Sequence, residues 1–158
     1  MPRAGKVKKR ISPLDPIYQS RLISHLINNL MISGKKTIAQ NVLYASFDLI
    51  TKNKVDPIAT FEKALDKVGP KQEVKAKRVG GANYQIPMEV RPERRVSLAM
   101  KWIVEAARKR SNKDYKVFEE KLAAELIDAS NELGEAIKKR DSILRMAQAN
   151  RAFGHFKW

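Results

Sequence analysis

The 158-residue chain contains no cysteine. Disulfides, thiolate metal sites and a cysteine nucleophile are thereby excluded, and the composition suits a reducing compartment. Its two histidines, His25 and His155, are too sparse to suggest the clustered ligands of a metal site. Long apolar runs are missing as well: none approaches the ~20 residues needed to cross a bilayer. Residues 1–10 are basic but no apolar segment follows them, so they do not read as a signal peptide. Gly34-Lys35-Lys36-Thr37 is not a phosphate loop, because Asn29 stands where the first glycine is needed and Lys36 where a hydroxyl residue is needed. Gly80-Gly81 lies between two strand-like segments, which makes it a turn and not a dinucleotide cradle. Glu119 and Glu120 are neighbours on a helix and point about 100° apart, as a solvated acidic face does and an acid–base pair does not. No catalytic residue, metal or cofactor is expected.

What is present is positive charge. Lys and Arg number 32 against 17 Asp and Glu, a formal net charge of +15. Self-repulsion of that size disfavours a compact state unless a polyanion relieves it. Nucleic acid is the first partner to consider, an anionic membrane the second. The excess is concentrated in residues 1–21, 71–95, 101–113 and 138–158. The segment Glu119–Glu135 runs the other way, with Lys121 its single cation. This pattern predicts a basic face, basic extensions and one acidic flank.

Residues 1–14 show no periodicity and read as an extended arm that orders on binding. Asp15-Pro16 is expected to start a helix, Asp as the cap and Pro at the first helical position. Leu22, Ile23, Leu26, Ile27, Leu30 and Met31 form its apolar stripe, and Ser33-Gly34 ends it. A second helix runs from about Lys35 to Lys52. Ile38, Val42, Ala45 and Leu49 make one stripe on it and Ala39, Leu43, Phe47 and Ile50 another, which predicts a central position in the bundle. Asp56-Pro57 opens a third helix, with Ile58, Phe61, Leu65 and Val68 inward. Gly69-Pro70 stops it, with glycine as a left-handed cap.

The period then changes. Tyr84, Ile86, Met88 and Val90 alternate with Gln85, Pro87 and Glu89, a strand signature. Glu73–Val79 is the expected partner strand and residues 80–83 the turn. Pro87 cannot donate to a sheet ladder, so its strand must present an edge there. Two strands alone are marginal in water, so the hairpin must lean on a helix or on a partner. Arg91-Pro92-Glu93 opens a fourth helix that closes in Arg108-Lys109-Arg110, where cations suit the helix end. A fifth carries Phe118, Leu122, Leu126 and Ala129. After a break near Ser130-Asn131 a sixth runs from about Glu132 to Ala149, with Leu133, Ala136, Ile137, Leu144 and Ala147 available to the core. Met88, Met100 and Met146 read as core filling. The expected fold is mainly α: a six-helix bundle with one protruding β-hairpin and basic N- and C-terminal extensions. It is read as a single domain over residues 1–158. An arm covers 1–14, three helices 15–70, the hairpin 71–91, three helices 92–149 and a basic-aromatic tail 150–158.

The candidate nucleic-acid contacts follow the charge. Lys75, Lys77 and Arg78 on one strand and Arg91, Arg94 and Arg95 beyond the other flank the hairpin, and guanidinium forks grip phosphates. Arg3, Lys6, Lys8, Lys9 and Arg10 in the arm, Lys35 and Lys36, and Arg108, Lys109 and Arg110 complete the set for RNA. In the tail, Arg151, Phe156 and Trp158 offer cations and rings that can stack on unpaired bases, or contact a protein neighbour, while Phe153 is expected to pack back on the bundle.

The residues resemble a known family. Asp15-Pro16-Ile17-Tyr18 and Gly34-Lys35-Lys36 resemble its opening block. Arg78-Val79-Gly80-Gly81-Ala82-Asn83-Tyr84-Gln85-Ile86-Pro87 resembles its hairpin. Arg94-Arg95 with Trp102 resembles its next helix, and Lys138-Lys139-Arg140 through Ala149-Asn150-Arg151-Ala152-Phe153 and a final Trp158 resembles its C-terminal block. The family is the bacterial and organellar type of the seventh small-subunit ribosomal protein. The resemblance implies a primary binder of the 3′ major domain of small-subunit rRNA that starts assembly of the head and lies at the tRNA exit site and mRNA exit channel. It puts Gly80, Gly81, Ala82, Asn83, Tyr84, Arg140 and Arg145 near exit-site tRNA and mRNA. It also implies the ninth, eleventh and thirteenth small-subunit proteins as neighbours, repression of its own messenger, and a cytoplasmic or organellar ribosome. No membrane role and no obligate homo-oligomer are expected. Two other readings stay open on the residues alone: a dimeric architectural DNA binder with the Pro87 hairpin as a minor-groove arm, and an enzyme of RNA metabolism.

Overall fold

The computed structural model of the chain describes Gly5 and residues 12–156, apart from the side chains of Val79 and Phe156. In chain order the elements are α1 (Arg21–Leu30), α2 (Lys36–Lys52), α3 (Pro57–Val68), β1 (Gln72–Val79), β2 (Ala82–Glu89), α4 (Pro92–Lys109), α5 (Phe118–Ser130) and α6 (Glu135–Ala149). A 3-10 turn over Arg151–Phe156 follows. The fold is mainly α with one antiparallel hairpin, as the periodicities predict.

The two Asp-Pro signals behave differently. At Asp56 the carboxylate accepts from the Ile58 amide at 3.0 Å and α3 starts at Pro57. At Asp15 the expected helix does not form. One carboxylate oxygen accepts from the amides of Ile17 and Tyr18, at 3.2 and 3.0 Å, and closes a turn. The other accepts the Tyr44 hydroxyl at 2.8 Å. Tyr18 packs edge-on against Phe47, with centroids 5.3 Å apart. Gln19 then takes a positive φ of 48°, and α1 begins only at Arg21. Tertiary contacts to α2 thus hold Asp15 buried in a turn that local capping would have extended into a helix.

The central helix is α5, which packs against α2, α3, α4 and α6. Its Ala123 and Ala129 are small enough for close approach, and Leu122 and Leu126 are fully buried. On α2 only one of the two apolar stripes is buried: Ala39, Leu43, Phe47 and Ile50. Ile38 is 55% exposed, so α2 is an outer helix and not the central one. Gly69 ends α3 with φ −64° and ψ 116°, which is extended and not left-handed. α6 starts later than expected, because Glu132 and Gly134 both take positive φ, and Leu133 is left 61% exposed. Met100 fills the core, whereas Met88 is half-buried and Met146 is exposed.

The hairpin ladder runs from Gln72↔Glu89 to Val79↔Ala82. Ala82 and Asn83, expected in the turn, belong to β2, which leaves Gly80 and Gly81 as a two-residue turn. Their φ values are 58° and 89°, the left-handed pair that a tight hairpin of this hand requires. Consecutive residues of a strand point to opposite faces, so Ile86 and Pro87, both buried, show that the hairpin is covered on its two sides. The cover comes from α6 and the C-terminal 3-10 turn. That turn replaces the irregular tail expected here, and Phe153 packs on Tyr84 of the hairpin.

Candidate nucleic-acid interface

The register sorts the hairpin cations. Lys75 and Lys77 pair with Ile86 and Tyr84 and share one face, while Arg78 pairs with Asn83 on the other. Lys75 and Arg78 are exposed and Lys77 is half-buried. At the tip, Gly80, Gly81, Ala82 and Asn83 are all exposed, and beyond the adjoining residues no atom lies within 4 Å of a Cβ built on either glycine. The tip therefore has an unobstructed backbone that another backbone can approach closely. Tyr84, one pair further in, lies half-buried against Phe153.

Fold brings together cations that are distant in the chain. Lys35 at the start of α2 and Arg108 near the end of α4 flank one groove of about 400 Å³, floored by Leu30, Ile38, Val42 and Phe118. Arg108 also donates to the Leu30 carbonyl at 3.3 Å, and Lys36 and Lys109 are exposed nearby in sequence. On the other side, Arg151 lines a pocket with Gln72, Pro87 and Gln148 between the hairpin and α6. Arg91, at the N-cap of α4, and Arg145 on α6 are exposed. Among the described residues no carboxylate is in ion-pair distance of Lys35, Lys36, Arg78, Arg91, Lys109, Arg145 or Arg151. Arg3, Lys6, Lys8, Lys9, Arg10, the Phe156 side chain and Trp158 lie outside the described residues.

Four other arginines of the candidate set are engaged within the protein. Arg94 grips Glu73 and Arg95 the end of α3. Arg140 donates to the Lys67 carbonyl at 2.7 Å and pairs with Asp141. Arg110 meets Glu125 at 2.7 Å through Nε, pairs with Asp128, and lies over the Tyr115 ring. Burial works against the Arg110 charge, but the hydrogen bonds it donates to Asp128 and Glu125 outweigh it and hold its pKa above the ordinary value.

Residues 2–151 match the family described as Ribosomal protein S7p/S5e. The small ribosomal subunit protein uS7 of Acetivibrio thermocellus is 53% identical over 159 residues, covering 100% of both chains. Its counterparts from Moorella thermoacetica and Caldicellulosiruptor saccharolyticus are 52% and 51% identical, again over 100% of each chain. The chain belongs to this family. Its members are structural proteins of the ribosome and not enzymes.

The acidic flank is solvated only in part. Glu125 is fully buried, accepting from Arg110 and from the Ala136 amide at 3.1 Å. Lys121 is buried beside it, with Nζ donating to the Arg110 carbonyl at 2.8 Å and to Asn112. Glu132 and Glu135 do face solvent. Hydrogen bonds from Lys67 and Lys138 respectively hold their carboxyls below the ordinary value of 4.5. The network around Arg110 fixes the loop between α4 and α5, on which Lys113 and Lys116 are exposed cations outside the set expected from the sequence. A signal for the network is present in the chain: Lys121 is the one cation in the acidic run. Glu73 has Lys75 of its own strand at 3.9 Å, but no comparable signal for Arg94, which comes from another element.

Proposed function

We propose that this chain is a structural protein of the small ribosomal subunit and binds the 3′ major domain of its rRNA directly, starting assembly of the head. The observation that carries the reading is the dispersed set of solvent-facing cations: Lys35 and Lys36 at the start of α2, Arg78 on β1, and Arg91 and Lys109 at the two ends of α4 of a ribosomal-protein fold. RNA helices are recognised through shape, phosphates and 2′-hydroxyls, which calls for cations spread over several elements and not for one groove-reading helix. The basic arm of Arg3, Lys6, Lys8, Lys9 and Arg10 adds to the same electrostatic attraction. The hairpin tip, Gly80–Tyr84, with Arg140 and Arg145 on α6, is the side proposed for exit-site tRNA and mRNA. Arg151, Phe156 and Trp158 are proposed to meet RNA or the eleventh small-subunit protein, with the ninth and thirteenth as further neighbours. The same surface would serve to bind and repress the chain's own messenger.

Titration of the full chain against a 3′ major-domain rRNA fragment and against duplex DNA tests this, together with rRNA protection mapping. The expected result is a preference for the RNA and protection inside that domain. Removing residues 1–11 should weaken binding and lower the slope of log affinity against log salt by roughly 0.7–0.9 for each phosphate that the arm neutralises. An unchanged slope would separate the arm from phosphate. Equal affinity for duplex DNA by a dimeric protein would favour the architectural DNA binder, although Pro87 is buried and so not available as a wedge.

A further inference from the structure

Neither strand of the hairpin packs directly on α3 or α4. On that side a cleft of about 610 Å³ separates the hairpin base from the bundle, with Leu65, Gln72, Val90 and Val96 among its walls. The apolar packing of the hairpin is on α6 and the C-terminal 3-10 turn, and on the side facing α4 the cleft separates the two. Two consecutive arginines in the first turns of α4 reach two different elements. Arg94 reaches β1, where Nε lies 2.9 and 2.8 Å from the two carboxylate oxygens of Glu73 and Nη2 lies 2.8 Å from Oε2. The Glu73 side chain is 13% exposed, so the forked pair is partly shielded from water. Arg95 turns towards the end of α3, where Nε donates to the Gly69 carbonyl at 3.1 Å and Nη2 to the Asp66 carbonyl at 2.7 Å. These are carbonyls that a helix end leaves without intrahelical partners.

Gly69 records how close this approach is. Its φ of −64° is open to any residue, so the backbone does not call for glycine. A Cβ at that position would lie 2.7 Å from Cγ of Arg95 and 2.8 Å from its Nε. Glycine is favoured there because the arginine lies across it and because a Cβ would also lie 3.0 Å from the Leu65 carbonyl oxygen.

We propose that Arg94 and Arg95 are positioning residues: Arg94 ties β1 to α4, Arg95 ties the end of α3 to α4, and together they set the angle at which the hairpin is presented. The proposal rests on the reading of this chain as an rRNA binder, and it gives the pair a different role from Arg78 and Arg91, whose guanidinium groups meet no carboxylate among the described residues.

Three variants of the full chain separate the roles: Arg94→Glu, Arg94→Glu combined with Glu73→Arg, and Gly69→Ala. The last keeps every charge and displaces chiefly the Arg95 side chain, with the Leu65 carbonyl oxygen 3.0 Å from the added Cβ. Amide exchange of residues 72–89 is read in the free protein, and affinity is read on the 3′ major-domain rRNA fragment. Arg94→Glu and Gly69→Ala should each speed hairpin exchange about tenfold or more, the factor that matches removal of a charge-assisted hydrogen bond. Exchange in α2 and α5 should stay unchanged, RNA affinity should fall, and the charge swap should restore both readouts. Restored exchange without restored affinity would make Arg94 a phosphate ligand and overturn its positioning role. Wild-type exchange in Arg94→Glu and in Gly69→Ala would overturn the clamp itself. Because exchange is read without RNA, failure of the wild-type chain to bind the fragment would sink the rRNA reading and still leave the clamp decided.

Discussion

The ring of Phe153 lies against that of Tyr84, with centroids 5.1 Å apart and planes inclined at 54°, so the last turn of the chain braces the neck of the hairpin. Tilted aromatic pairs contribute roughly 0.5–1.5 kcal/mol beyond their burial. Phe153→Ala should therefore speed amide exchange in β2 while the melting temperature of the bundle stays nearly unchanged, since Phe153 is outside the main core. A lowered melting temperature with normal hairpin exchange would assign Phe153 to the bundle instead.

Glu125 has no exposed surface and accepts two hydrogen bonds, one from Arg110 Nε and one from the Ala136 amide, beside an ion-pair contact with Arg110 Nη2. Glu125→Ala leaves a shielded guanidinium and a buried N–H without this acceptor. A destabilisation of about 3–5 kcal/mol is expected from urea unfolding, the range for breaking a buried pair by removing one partner. Replacing both Arg110 and Glu125 with apolar residues of similar volume should cost less than either single removal. Additive effects would show that the two side chains are not coupled.

Tyr44 predicts the alkaline limit of stability. Burial, and then the hydrogen bond to the Asp15 carboxylate, raises its pKa from 10.0 to about 12. A folded-state pKa above the unfolded one gives a contribution that is complete below pH 10 and declines as pH rises towards 12. Urea midpoints of the wild type should fall across that window more steeply than those of Tyr44→Phe. Parallel declines would place the alkaline transition elsewhere, with Tyr18 the next candidate because burial also raises its pKa.

The register allows the hairpin to be shortened without turning any side chain over. Removing Arg78, Val79, Ala82 and Asn83 keeps the Gly80-Gly81 turn and makes Lys77↔Tyr84 the closing pair. The tip is exposed, so folding should survive, and rRNA binding should weaken by no more than the loss of the single cation Arg78. In assembled subunits the expected defect is faster release of exit-site tRNA and looser reading-frame maintenance. Wild-type tRNA retention would remove the tRNA role, and failure of the head to assemble would make the tip an rRNA anchor.

Residue types and their spacing determined the helices, the single hairpin, its glycine turn and the start of α3, because caps, apolar periods and turn chemistry act over a few neighbouring residues. The same logic failed at Asp15, where Tyr44 and Phe47 hold the turn from another helix. It also misplaced the centre of the bundle, because two apolar stripes on α2 say nothing about which helices are available to cover them. Net charge pointed to a polyanion, but not to the roles of single cations. Arg78 and Arg95 carry the same group, yet one is exposed on a strand and the other lies across Gly69 at the end of α3. Only the tertiary structure decided between such cases. A guanidinium is engaged or open according to which acceptors the packing of other elements brings within about 3 Å, and distance along the chain does not encode that separation.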